Sequence, residues 1–137
     1  MAEIQRKCDS CQQNKSVSIG QGFDYNLFWH ESHRCNFCGF AMEMDDRGFP
    51  PEDIRQIIIQ QEGEYYLKVD DSCLKFKVAS VKIIRSALFL PMSKTKKLLQ
   101  QFPILATGTK IEIEWLQMLL LKDSVVANII KKNESVY

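Results

Sequence analysis

The first third of the chain carries short apolar runs that alternate with polar residues, which is the pattern of β-strands. Val17-Ser18-Ile19 and residues 26–30 flank Gly20-Gln21-Gly22, which indicates a turn between two strands. Residues 40–44 alternate in the same way. We therefore predict β-hairpins over residues 1–48.

After Gly48-Phe49-Pro50-Pro51 the spacing changes to helices alternating with strands. Pro51 suits a first helical turn, and Ile54, Ile57 and Ile58 give that helix an apolar stripe that ends near Gly63. The next predicted elements are a strand at Tyr65–Val69, an Asp70-Asp71 turn and a helix at 78–89 with Val81, Ile84 and Leu88 on one face. A helix capped by Ser93 and ending at Gln101 follows, and then a strand at 104–105. The last two elements are a helix at Lys110–Lys122, capped by Gly108-Thr109, and a strand at 125–130. The order β-α-α-β-α-β predicts an α+β sandwich with helices on one face of a small sheet. We place the two domains at 1–48 and 49–137.

The helix predicted at Lys110–Lys122 is apolar on nearly all sides. Ile113, Leu116 and Leu120 form one stripe, and Ile111, Trp115 and Met118 form a second. A helix that is apolar all round is normally buried all round. Two interpretations follow: the hairpins of residues 1–48 or the helix from Pro51 to Glu62 covers the second stripe, or another protein chain covers it through Trp115.

Four of the five cysteines fall in two C-x-x-C pairs, Cys8/Cys11 and Cys35/Cys38. Two such turns brought together by a hairpin supply four thiolates to one tetrahedral zinc ion, and Gly39 suits the second turn. With all four positions filled by cysteine, the metal is expected to be one structural zinc ion, and residues 1–48 are predicted to form a zinc ribbon. Two disulfides, a redox pair and an iron–sulfur cluster are the alternatives, but the chain shows no secretory signal, no βαβ context for one pair and no cluster signature.

The other histidine, cysteine and acidic residues that could take part in metal binding or catalysis are interpreted as surface or core residues. His33 can replace a thiolate in a Cys3His site, although we expect His30 and His33 to be surface residues of the ribbon. Cys73 stands alone and is expected to be a small buried hydrophobe. Asp45-Asp46 lies beside Arg47 in what we interpret as a polar turn rather than a catalytic pair.

Charge is distributed unevenly along a chain whose net charge is only +1. Nine acidic and three basic residues lie between Ala41 and Asp71, whereas seven basic residues and no acidic one lie between Leu74 and Gln101. This asymmetry concerns partners or self-contact rather than fold. No apolar run approaches the ~18 residues of a membrane span, and the start has no apolar signal core, so we expect a soluble cytoplasmic protein without membrane contact.

Part of the second module resembles a known family. Lys77-Val78-Ala79-Ser80-Val81-Lys82-Ile83-Ile84-Arg85 resembles the K-V-A-x-[VI]-K-x-[VI]-R opening of the C-terminal domain of the bacterial ribosomal stalk protein. Residues 90–99 are similar to the L-G-L-K-E-A-K-x-L-V helix of that family, with Pro91, Ser93 and Lys94 as departures. The resemblance covers residues 65–130 and implies the fold shared with the ClpS adaptor. It also implies a basic face that contacts translation factors, made of Lys77, Lys82, Arg85 and Lys96.

The function hypotheses are all non-enzymatic, because the sequence has no glycine-rich phosphate loop, hydrolase elbow, H-E-x-x-H motif or open metal site. The first is a protein-interaction module, an adaptor or inhibitor that uses the basic face, with a toxin-neutralising immunity protein as one version. The second is a ribosome- or nucleic-acid-associated protein in which Lys75 to Lys97 follow phosphates and Tyr25, Trp29 or Phe37 stack on bases. The third is a structural role in an oligomer.

Overall fold

The computed structural model describes residues 2–132 and is a mixed α+β structure with two antiparallel sheets. It divides into two compact units, Met1–Glu62 and Gly63–Tyr137. No helix in the described range is both long and apolar enough to cross a membrane.

The first unit is built on a four-stranded antiparallel meander. Its strands are β1 (Ala2–Lys7), β2 (Asn14–Phe23), β3 (Leu27–Arg34) and β4 (Ala41–Arg47), paired in that order. The β1–β2 and β3–β4 connections both contain a C-x-x-C pair, and the two connections lie at the same end of the meander. The hairpins predicted for this region are confirmed.

The turn predicted at Gly20-Gln21-Gly22 is wrong, because both glycines lie inside β2. Gly20 pairs with His30 and Gly22 pairs with Phe28 across the strands. A Cβ atom at Gly20 would lie 2.4 Å from the His30 ring, and one at Gly22 would lie 2.6 Å from the Phe28 ring. The glycines therefore leave space for two rings. The chain reverses direction after β2, where the Asp24 side chain accepts a hydrogen bond from the Asn26 N–H.

One helix, α1 (Glu52–Glu62), completes the first unit by packing on the sheet. Ile54 and Ile58 are buried in one cluster with strand residues Ala2, Val17 and Ile19. The helix was grouped with the second module in the sequence interpretation. Its apolar stripe is instead buried against β1 and β2, so the boundary between the units follows Glu62.

The second unit contains a three-stranded antiparallel sheet in the order β6-β5-β7. The strands are β5 (Tyr65–Val69), β6 (Ile104–Gly108) and β7 (Ala127–Lys131), and the helices are α2 (Lys77–Ala87), α3 (Thr95–Gln101) and α4 (Lys110–Lys122). Leu67 and Val69 of β5 are buried while Tyr66 and Lys68 are half-exposed, so the helices cover one face. The predicted element order is confirmed.

Helix α4 begins with the cap that the sequence predicts. The Thr109 hydroxyl accepts a hydrogen bond from the Glu112 N–H, and the Glu112 carboxylate accepts one from the Thr109 N–H. Two donors that helix formation leaves unpaired are thereby satisfied. Both side chains are buried, at 1% exposure each.

Three local predictions for this unit differ from the structure. The Asp70-Asp71 turn opens a 3-10 helix at Asp71–Phe76, with Asp70 as its cap. Ser93 does not cap α3: it lies within a second 3-10 turn, Met92–Lys94, and Lys94 precedes the helix without a side-chain cap bond. The last strand begins at Ala127 rather than at residue 125.

Candidate metal centre

The two cysteine turns have the same backbone construction. In the first, the Cys8 N–H donates to the Gln13 carbonyl at 2.7 Å, and the Gln12 N–H donates back to the Cys8 carbonyl at 2.8 Å. In the second, the Cys35 N–H donates to Phe40 at 2.8 Å and the Gly39 N–H donates to Cys35 at 3.0 Å. We call residues 8–13 the first knuckle and residues 35–40 the second knuckle.

The residue after the second cysteine has positive φ in both knuckles. The angle is 66° at Gln12 and 78° at Gly39. Positive φ turns the chain sharply enough for both sulfurs of a C-x-x-C pair to face the same point, and glycine adopts it without a steric cost. The glycine predicted to need positive φ at position 39 is confirmed, while Gln12 adopts the same conformation without being glycine.

The four sulfurs form one cluster. The sulfurs of Cys8, Cys11, Cys35 and Cys38 all lie within 4.8 Å of one another. Cys8 and Cys38 are 3.8 Å apart and Cys11 and Cys35 are 3.5 Å apart, and all four thiols are free. Around a tetrahedral ion with metal–sulfur bonds of about 2.3 Å, neighbouring sulfurs lie about 3.8 Å apart. The cluster therefore fits a metal ion held by four cysteines, with no ligand position left over.

Backbone N–H groups of the knuckles lower the thiol pKa of the first cysteine in each pair. The Cys11 N–H, followed by the Ser10 N–H, lowers the pKa of the Cys8 thiol below its ordinary value. The Cys38 N–H and then the Phe37 N–H outweigh burial and lower the pKa of Cys35 to about 7. Hydrogen bonds to sulfur stabilise its thiolate, which is the form that binds metals.

The thiol pKa of the second cysteine in each pair is raised instead. The Gln13 N–H lowers the pKa of Cys11, but burial and the three neighbouring cysteines together raise it to about 12. The pKa of Cys38 is also raised: the Phe40 N–H lowers it, but burial and the Cys35 and Cys8 thiols prevail. Crowded sulfurs resist full ionisation unless a cation offsets their charge.

A lysine that the sequence interpretation did not single out lies beside the second knuckle. Lys15 is only 7% exposed, and its Nζ lies 5.2 Å from the centroid of the Phe40 ring. Lys15 follows the first knuckle and Phe40 ends the second, so this cation–π contact joins the chain segments of both. The sequence signal that could have identified Lys15 was its position two residues after the first knuckle.

His33 was predicted to be a surface residue, and the structure contradicts this. It is 7% exposed, and its Nε2 lies 2.8 Å from the Glu31 carboxylate, which is buried as well. Odd-numbered residues of β3 face the buried side of the sheet, which places His33 in that row. The cysteine cluster is complete without a histidine, so the Cys3His alternative finds no support among the described residues.

His30, Asp45 and Cys73 were also singled out from the sequence. His30 is half-exposed and its ring lies against Gly20. Asp45-Asp46 belongs to β4 rather than to a turn, and both residues are exposed. Cys73 is buried as predicted, at 6% exposure, and its sulfur accepts a hydrogen bond from the Val126 N–H at 3.4 Å.

The proposed partner-binding residues are distributed over α2, α3 and α4. Lys77, Lys82 and Lys96 are exposed and Arg85 is half-exposed. The Lys77 Nζ lies 5.9 Å from the Phe102 ring, and Arg85 donates to the Met92 sulfur at 2.7 Å. Trp115 is 8% exposed within this single chain, so it presents no apolar patch to a partner and the interpretation that places it in an interface is not supported.

Comparison with known proteins found no match among family models, among curated proteins or among solved structures.

Proposed function

We propose that this chain is a non-enzymatic, zinc-binding protein-interaction module. The observation that carries the proposal is the cluster of four cysteine sulfurs within 4.8 Å of one another. Four thiolates in a tetrahedral arrangement suit zinc, and a site filled by protein ligands leaves no position for a substrate or for an activated water. The zinc ion in this proposal is structural, and it fixes the two knuckles side by side.

Metal content tests the first part of the proposal. We expect about one zinc ion per chain by elemental analysis after purification without chelator, and loss of that ion in Cys35→Ser. Cys73→Ser is the matched control, because Cys73 is equally a buried cysteine but lies outside the cluster. Four intact thiols without bound metal, or iron in place of zinc, would contradict the assignment.

The interaction surface in this proposal is the basic face of the second unit, defined by Lys77, Lys82, Arg85 and Lys96. Between Leu74 and Gln101 the chain has seven basic residues and no acidic one. Apolar side chains accompany them in the same segment: Val78 is 74% exposed, Met92 is 68% exposed and Phe89 is 93% exposed. A surface that combines cations with exposed apolar groups favours an acidic protein over nucleic acid, which needs mainly phosphate contacts.

The order β5-α2-α3-β6-α4-β7 is the one that the stalk-protein resemblance implies for this unit. This order concerns the fold alone, and the proposal that the basic face recruits a protein such as a translation factor rests on the resemblance of residues 77–85 to the stalk-protein motif. In the immunity-protein version of the proposal, the same basic face binds the toxin directly. The neighbouring genes and the captured partner distinguish these two versions.

Charge reversal tests the basic face. We expect Lys82→Glu with Arg85→Glu to leave zinc content and fold unchanged, because neither side chain is buried. Affinity for a partner captured from the native host is expected to fall, mainly through a lower association rate with strong salt dependence. Arg6→Glu with Lys110→Glu is the matched control, since it reverses two exposed charges elsewhere.

The control variant is expected to bind normally. Equal binding by both double variants would show that the basic face is only solvated. If the captured molecule is RNA, and its affinity falls steeply with salt in both variants alike, the nucleic-acid hypothesis replaces the protein-binding one.

A further inference from the structure

The outer edge of β4 is an open strand edge in the first unit. β4 is the last strand of its sheet, and all seven of its residues, Ala41–Arg47, are exposed. The β3–β4 register runs from Phe28↔Arg47 to Arg34↔Ala41 without a bulge. Of the devices that commonly protect edges, this strand has charged side chains (Glu43, Asp45, Asp46 and Arg47) but no proline, no bulge and no covering element within the described range.

The opposite edge of the same sheet is protected in a way that makes the contrast clear. At β1, the Gln61 side chain makes the two hydrogen bonds that the backbone of a neighbouring strand would make. Its Oε1 accepts a hydrogen bond from the Glu3 N–H at 3.0 Å, and its Nε2 donates one to the Glu3 carbonyl at 2.7 Å. The unit therefore closes one edge with α1 and leaves the other open.

The hydrogen-bond ladder determines which β4 backbone groups face outward. The Cys35 N–H donates to the Phe40 carbonyl at 2.8 Å, and the Gly48 N–H donates to the Leu27 carbonyl at 2.7 Å. Both bonds fit the β3–β4 register, and bonded positions alternate along an antiparallel pair. Met42, Met44 and Asp46 therefore bond to β3, while Ala41, Glu43 and Asp45 direct their N–H and C=O groups outward.

The side chains of β4 determine which kind of strand can pair with this edge. Glu43 and Asp45 lie on one face of the strand, and Met42 and Met44 lie on the other at 37% and 41% exposure. An added strand with cations on the first face and apolar side chains on the second would pair with the carboxylates and cover the methionines. Methionine adapts its shape to varied partners.

A second copy of this chain does not fit the same edge. Pairing two β4 strands antiparallel would place the carboxylates of Glu43 and Asp45 beside those of the other copy, and like charges in facing positions destabilise a sheet. The acidic side chains therefore disfavour self-pairing and select a basic strand.

We propose that β4 is a strand-addition site for an extended basic polypeptide segment in which cationic and apolar residues alternate. Main-chain hydrogen bonds to Ala41, Glu43 and Asp45 supply the affinity, and the alternation supplies the specificity. The site belongs to the first unit and does not depend on the basic face proposed above.

The test uses the full chain and a synthetic probe, the capped and fluorescein-labelled peptide Lys-Val-Lys-Val-Lys-Val-Lys. Fluorescence anisotropy is expected to show saturable binding. A peptide of the same sequence with N-methylated internal amides keeps the charge but loses the donors, and we expect it to bind at least about fivefold more weakly. Equal binding of the two peptides would reduce the interaction to charge attraction and would overturn the proposal.

Two substitutions at Glu43 separate the contribution of the backbone hydrogen bond to peptide binding from that of the carboxylate charge. Glu43→Gln removes the carboxylate, whereas Glu43→Pro removes the carboxylate and the outward N–H. Proline is tolerated on an edge strand where its missing N–H faces solvent, so zinc content and the circular dichroism spectrum are expected to be unchanged. We expect Glu43→Pro to bind the peptide about fivefold more weakly than Glu43→Gln.

Amide hydrogen exchange gives a readout that does not depend on affinity. In the free protein the amides of Met42, Met44 and Asp46 are expected to be protected, and those of Ala41, Glu43 and Asp45 to exchange quickly. Saturation with the peptide is expected to protect the second set. No new protection, or protection of the second set in free protein that sediments as a dimer, would overturn the proposal.

Discussion

Substituting Gly39 by alanine tests whether backbone conformation in the knuckles controls metal binding. Gly39 has φ of 78°, and a Cβ placed there would meet no atom within 4 Å. The cost of the substitution is therefore conformational and involves no collision. An L-residue in this region costs roughly 1–2 kcal/mol, and alanine recovers about 0.4–1 kcal/mol by restricting the unfolded chain. We expect a net loss of about 1 kcal/mol, equivalent to about fivefold weaker metal binding.

Two companion variants make the interpretation specific. Gly39→Asn is expected to cost less than Gly39→Ala, because asparagine tolerates the left-handed region better than other side chains do. Gln12→Gly places glycine at the equivalent position of the first knuckle, where φ is 66°. It relieves the same strain but also increases chain entropy and removes the hydrogen bond from Gln12 Nε2 to the Asp9 carbonyl at 3.3 Å, so we expect a change within about 0.5 kcal/mol of zero.

Competition with a chromophoric zinc chelator at fixed pH measures all three variants on one scale. The reasoning would be refuted if Gly39→Ala bound zinc as tightly as the unmodified chain. It would also be refuted if Gly39→Asn were as weak as Gly39→Ala, because a cost set by positive φ should be smaller for asparagine.

Three further predictions concern the second unit. The pKa of Asp70 is lowered to about 2, first by the Ser72 hydroxyl and then by the Asn128 amide, so its stabilising contribution is complete above its ordinary pKa of 3.8 and is lost as pH falls through about 2. Carboxyl-carbon NMR titration is expected to show a higher Asp70 pKa in Ser72→Ala, and an unchanged value would contradict this. Thr109→Ala is expected to cost about 1–2 kcal/mol in urea unfolding, and Thr109→Ser is expected to cost less because it keeps the cap oxygen and loses only the buried methyl group. Trp115→Ala is expected to destabilise this unit by about 3–5 kcal/mol without releasing zinc, and a change only in oligomeric state would restore the interface interpretation.

Local signals with a single physical meaning predicted the structure well. The C-x-x-C spacing led directly to the sulfur cluster, because two sulfurs three residues apart on a tight turn have few other arrangements. Gly108-Thr109 before an apolar run predicted the start of α4, since the threonine side chain supplies the acceptor that the first turn lacks. In both cases the residues that define the feature are neighbours in sequence.

Features that depend on contacts between distant residues were predicted poorly. Gly20 and Gly22 resemble turn residues in sequence, yet His30 and Phe28 on the adjacent strand decide their role. His33 looks like a surface residue until the register places it in the buried row of β3 beside Glu31. A polar residue can be buried when its partner is buried with it, and a pattern of apolar positions carries no record of that partner.

A metal ion in the first unit would fit the sizes of the two cores. The buried apolar side chains of that unit, the cysteines aside, are few: Ala2, Val17, Ile19, Leu27, Trp29, Ile54 and Ile58. Units of about 60 residues with so few buried side chains commonly need a metal or a disulfide to remain folded. The second unit buries a larger set, including Leu67, Val69, Ile84, Ile113, Leu116, Leu120 and Val125, and its cysteine serves only as a buried side chain. A metal ion at the cysteine turns of the two hairpins would add stability where burial is least, and its removal is expected to loosen β4 together with the knuckles because the Cys35–Phe40 bond that fixes the start of that strand belongs to the second knuckle.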